Sequence, residues 1–182
     1  TLTGAVAIDS AGGNVAFDAA IDGAQTLSVT AGAGSTTFSG DLGLGTALTS
    51  IDVVSASQID VLDISTVSGI TLTGTNIDLN GTDTTLATTG GGSIALEGAV
   101  DLDGSGTLIL DSDGAAADGN ITVTGTLTGT TGDDDLVAIA DTGAIDFLGN
   151  LVNLRGLDIQ SAAQVDVVGI TTSGDLSVTA TN

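Results

Sequence analysis

The chain has 182 residues and carries 23 acidic side chains against a single basic one, a formal net charge of −22 at neutral pH. Arg155 is that base, Glu97 is the sole Glu, and Pro, Cys, Met, Trp, Tyr, His and Lys are absent. This balance excludes nucleic acid and anionic lipid, which are held by clustered Lys and Arg, and no apolar run reaches the ~18 residues needed for membrane insertion.

Along the chain, short apolar–polar–apolar triplets recur. They fall at residues 6–8, 27–29, 51–53, 59–61, 70–72, 77–79, 94–96, 100–102, 121–123, 145–147, 157–159, 165–167 and 176–178. Strand side chains alternate between faces, so each triplet predicts two groups inward and one outward. β-branched residues dominate the inward set, as a half-buried pleated surface favours. Gly, Asp, Asn and Ser clusters at 10–14, 31–35, 90–93, 112–120 and 131–135 predict the turns between strands. The Ala run 115–117 lies inside one of these clusters, and no helical stripe is present. With 41% hydrophobic residues the chain is expected to fold despite its charge.

The chain also repeats internally. Ile51-Asp52-Val53 and the residues up to Ile64 match Leu157-Asp158-Ile159 and the residues up to Ile170, an ungapped offset of 106 residues (157 − 51). Asn14-Val15 and Asn120-Ile121 share that offset (120 − 14 = 106). At roughly 20 residues per turn of a β-solenoid, the repeat reads as about five coils and the chain as about eight or nine. The expected fold is all-β: a right-handed parallel β-helix running continuously over residues 1–182. The alternative is a tandem β-sandwich of about 106 residues per unit. Small side chains suit a narrow stacked core. Sandwich cores usually carry large aromatic anchors, and the chain has only Phe17, Phe38 and Phe147.

The blocks Gly-Asn-Ile-Thr-Val-Thr-Gly-Thr-Leu at 119–127, Leu27-Ser28-Val29-Thr30-Ala31-Gly32 onward and Ile-Thr-Leu-Thr-Gly-Thr-Asn-Ile-Asp-Leu at 70–79 resemble the β-strand repeats of giant bacterial surface proteins. Those are similar to filamentous-haemagglutinin-type adhesins. The resemblance covers nearly the whole chain. It implies secretion, an extracellular or cell-surface location, and a role as a stalk, fibre or adhesin that grips a cell surface or glycan. The chain is more acidic than that pattern and shows no secretion or anchoring module. It begins at Thr1 without a Met, and reads as an excerpt of a longer repeat array.

No enzyme is expected. General acid–base work at neutral pH relies mainly on His or on tuned Glu or Lys, and a Ser nucleophile needs a base beside it. No catalytic and no cofactor-binding residue is expected. Ca²⁺ is the ion this chemistry would suit, because it takes six to eight oxygen ligands. Asp111, Asp113 and Asp118 form the densest oxygen cluster, and Asp133, Asp134 and Asp135 form a second. Neither matches an EF-hand, and solvated turns are the plainer reading. No cofactor is required on this reading; divalent cations are expected to relieve repulsion between stacked Asp residues. Arg155 is expected to pair with a nearby carboxylate such as Asp158. Outward Thr at 71, 73, 122, 124, 126 and 128 suit exposed strands, and the sequons at Asn80 and Asn120 read as turn residues. Open strand edges favour end-to-end self-association. The expected function is a stiff acidic spacer in an extracellular fibre, stalk or matrix filament.

Overall fold

The computed structural model describes residues 1–104, 106–114, 118–130 and 133–180; the Ala run 115–117 lies outside them. Among the described residues there is no helix. Sixteen strands follow in chain order: β1 Val6–Asp9, β2 Val15–Phe17, β3 Thr26–Thr30, β4 Ser35–Phe38, β5 Leu48–Val61, β6 Ile64–Leu79, β7 Thr84–Thr88 and β8 Ile94–Leu102. Then come β9 Thr107–Asp111, β10 Ile121–Val123, β11 Leu127–Gly129, β12 Asp135–Ile139, β13 Ala144–Leu154, β14 Gly156–Ser161, β15 Gln164–Thr172 and β16 Leu176–Val178.

Every pairing between these strands is parallel, which settles the choice of architecture. A sandwich of hairpins would pair antiparallel. The chain instead winds into a three-faced β-solenoid, and each face is a ladder of inward side chains. On the first face Val6, Leu27, Ile51, Ile70, Ile94, Ile121, Ile145 and Val165 stack in register. The second stacks Val15, Thr36, Ile59, Ile77, Val100, Leu127, Leu151 and Ile170. On the third, Ile21, Leu42, Ile64, Leu86, Leu110, Ala138, Ile159 and Val178 do the same. Eight rungs make about seven turns, or ~34 Å of rod at ~4.8 Å per step. One apolar cluster fills the interior throughout, from Ile21 to Ala162. The three Phe occupy inward slots; Phe17 and Phe38 stack with ring centroids 5.0 Å apart, and Phe147 is buried.

Coil length varies. Successive first-face rungs lie 19 residues apart at Ile51/Ile70 and 27 apart at Ile94/Ile121. Variable corners absorb the difference, because only the inward triplets must keep register. The 106-residue repeat is therefore one face short of five whole coils. Ile51 lies on the first face of the third coil, whereas Leu157 lies on the third face of the seventh. Four coils and two further faces separate them, so the repeat spans fourteen faces. Asn14-Val15 opens a second face and Asn120-Ile121 a first face, the same one-face slip.

Corners approach too closely for side chains. A Cβ on Gly98 would lie 2.0 Å from the Gly74 carbonyl oxygen, one on Gly125 2.1 Å from that of Gly98, and one on Gly149 2.1 Å from that of Gly125. These glycines form a column between the first and second faces. Only a residue without a Cβ fits this backbone-to-backbone contact.

Candidate functional site

Lys, His and Cys are absent, and 23 carboxylates are the chain's most numerous ionisable side chains. The fold sorts them into four roles.

The first role is structural. Where strands bend at corners, backbone N–H groups lose their ladder partner, and a carboxylate or amide from the coil below replaces it. Asp22 Oδ1 accepts from the N–H of Gly45 at 2.8 Å and of Thr46 at 3.0 Å. Asp63 Oδ1 accepts from Thr85 at 2.7 Å and Asp83 Oδ1 from Thr107 at 2.9 Å. Asn14 and Asn120 do likewise for Ser35 and Ala144. A buried or half-buried N–H left without a partner is costly, so turn Asp and Asn are here part of the wall. Asn120, in one of the two sequons, is engaged in this way.

The second role is an outward rank. Asp60, Asp78 and Asp101 stack on the second face, one per coil. Amides two residues earlier donate into them: Gln58 Nε2 to Asp60 Oδ1 at 3.0 Å, and Asn76 Nδ2 to Asp78 Oδ1 at 2.6 Å. Partial burial, then the charges of Asp103, Asp60 and Asp101, push the Asp78 carboxyl above its ordinary value. Thr does not form a comparable rank. On the first face Thr71 sits between Asp52 and Ala95, and Thr122 between Ala95 and Asp146. Glu97 accepts from the Thr73 hydroxyl at 3.1 Å.

The third role is a cluster. Asp113 and Asp118 face each other across an isolated antiparallel bridge. Asp141 joins them from the next coil, with one oxygen of each carboxylate within 4.8 Å of the others. Asp111 stands beside the cluster, its Oδ1 accepting the Asp113 N–H at 3.0 Å. Asp113 is pushed up by desolvation and then by Asp141, Asp118 and Asp111. Asp118 is held down by two bonds from Thr142, at 2.5 Å from its hydroxyl and 3.1 Å from its N–H. Three carboxylates carry six oxygens, and Ca²⁺ takes six to eight from carboxylates, backbone carbonyls and water.

The fourth role is the ion pair. Asp133, Asp134 and Asp135 do not gather: Asp133 is exposed, Asp134 is 1% exposed, and Asp135 turns to Arg155. Arg155 Nε donates to both Asp135 oxygens, at 3.0 and 3.1 Å, and Nη2 adds a third bond. The partner is thus Asp135, 20 residues back (155 − 135), and not the sequence neighbour Asp158. The stacked coil brings Asp135 alongside. That pairing holds Asp135 below the usual carboxylate range. Sequence reasoning missed Asp135 as this partner and Asp141 as a cluster member, because both contacts run between coils.

No protein-family model matches the chain, and neither does any curated protein or solved structure.

Proposed function

We propose that the chain is a stiff, acidic spacer: a structural segment of an extracellular fibre, stalk or matrix filament. The carrying observation is the uninterrupted core, one apolar cluster running from Ile21 to Ala162. Each coil rests on its neighbours, so stability accumulates along the axis, and among the described residues no hinge interrupts it. Outward carboxylates hydrate the rod and repel parallel rods, while gathering mobile cations. Unpaired backbone groups at a strand edge offer a route to self-association along the axis. The extracellular location rests on the resemblance to surface-protein repeats. Absence of His and Lys argues against catalysis.

Stiffness is directly measurable. Ser28 and Asp166 occupy the same outward rank of the first face, six rungs apart. Spin labels at these two positions should report one narrow distance distribution centred near ~29 Å, six steps of ~4.8 Å. A broad or bimodal distribution in a folded sample would refute the spacer.

A further inference from the structure

We propose that a groove on the third face binds a neutral saccharide. The groove encloses about 650 Å³, within the ~300–1,000 Å³ of small-molecule sites. It runs along the rod between two outward ranks. Asp135, Gly156 and Asp175 line one side, and Val137, Asp158 and Ser177 the other. Its cause is local. Gly156 stacks on Asp135 and places no side chain in the row, so the surface dips there, and the Asp135 Oδ1 leans to 3.0 Å, and the Asp175 carbonyl oxygen to 3.4 Å, from where a Cβ would stand. Arg155, just before that glycine, folds back onto Asp135 and forms the rim, its side chain still 53% exposed.

Polarity selects the ligand. Anions are repelled by a chain of charge −22. A polycation gains more on the Asp60–Asp78–Asp101 rank, where no base stands in the row, than beside the chain's one guanidinium. What the groove offers is the guanidinium N–H groups of Arg155 that Asp135 does not take, acceptors on Asp158 and Asp175, a hydroxyl on Ser177 and an apolar patch on Val137. An uncharged polyol satisfies donors and acceptors together, and lays its C–H face on Val137. This inference stands apart from the spacer reading: a rod with or without this groove can be stiff.

The test is amide chemical-shift titration of the ¹⁵N-labelled chain with maltotriose, cellotriose and chitotriose at millimolar concentration, with spermine as cationic comparison. At least one neutral trisaccharide should give saturable shifts at Gly156, Asp158, Gly174 and Ser177. Arg155→Gln and Asp158→Ala should each weaken it about tenfold, the loss of one hydrogen bond to a charged group. Ser177→Phe should fill the groove and abolish binding, while Ser28→Phe on the first face leaves it intact. Each variant must retain the dispersed wild-type spectrum. The proposal fails if no neutral probe moves these amides. It fails equally if spermine alone moves them and Arg155→Gln tightens spermine, which would make the groove a cation site.

Discussion

Thr66 and Thr88 occupy adjacent inward rungs of the third face, at 0% and 1% exposure. Their hydroxyls meet different fates. Thr88 Oγ1 donates to the Gly92 carbonyl at 2.6 Å, whereas Thr66 Oγ1 is buried with no partner. A buried hydroxyl without a bond keeps its desolvation cost and returns nothing. Thr66→Val should therefore stabilise the fold by about 1 kcal/mol, and Thr88→Val should destabilise it by a similar amount. Opposite shifts in the denaturation midpoint are the expected result; equal signs would show that side-chain shape, not the hydroxyl, governs these slots. The same contrast explains what the sequence hides. Two Thr on one face look identical in the sequence, and only the neighbouring turn decides which one is satisfied. Asp141 is similar: nothing in its own segment points to Asp113 and Asp118, which lie one coil away.

At the scale of strands and corners, close backbone contact limits the glycine column. Gly125→Ala would set a Cβ 2.1 Å from the Gly98 oxygen and 2.4 Å from its carbonyl carbon. Neither atom is the end of a movable side chain, so the coils must separate locally. We expect a loss of about 3 kcal/mol, against little change for Gly4→Ala, whose Cβ would meet nothing within 4 Å. A neutral Gly125→Ala in thermal or chemical melts would mean the corner has slack. Strands of the first face are the legible ones, since every rung there falls in a recurring triplet, and triplets such as Ile94-Ala95-Leu96 bury their outer members and leave the middle one half-buried. On the third face β7, β9 and β12 escape that pattern. Inward Thr84 and Thr88 replace aliphatics in β7, while outward Ile109 and Val137 blur the alternation in β9 and β12. Packing against adjacent coils holds these strands, and a single strand's sequence does not carry that information.

Over the whole molecule, the one-face slip of the 106-residue repeat identifies the unit that sequence encodes. It is one strand with its corner, not one coil. A strand module that suits the first face at Ile51 suits the third at Leu157, so each face imposes nearly the same demands. The all-β solenoid is thus readable from local alternation, but the coil phase is not. Charge acts at this scale too. Stacking places like carboxylates on successive coils, and Asp78 bears the result, its carboxyl raised by partial burial and by Asp103, Asp60 and Asp101. Because the folded state disfavours the ionised form, Asp78 contributes its stability below the ordinary value of 3.8, and loses it as pH rises through the raised folded value. Asp135 and Asp118 work in the opposite sense: lowered in the fold, they contribute above the ordinary range and lose that contribution in acid. Asp78→Asn keeps an oxygen for the Asn76 amide and removes one charge from the middle of the rank. It should raise the melting temperature at pH 7 and low salt by ~1–3 °C. The gain should shrink in high salt, which screens the half-exposed neighbours, and vanish below pH 3.8, where wild-type Asp78 is itself protonated in both states. A gain that persists unchanged in acid would trace to packing and not to charge, and the stacked carboxylates would then be energetically silent.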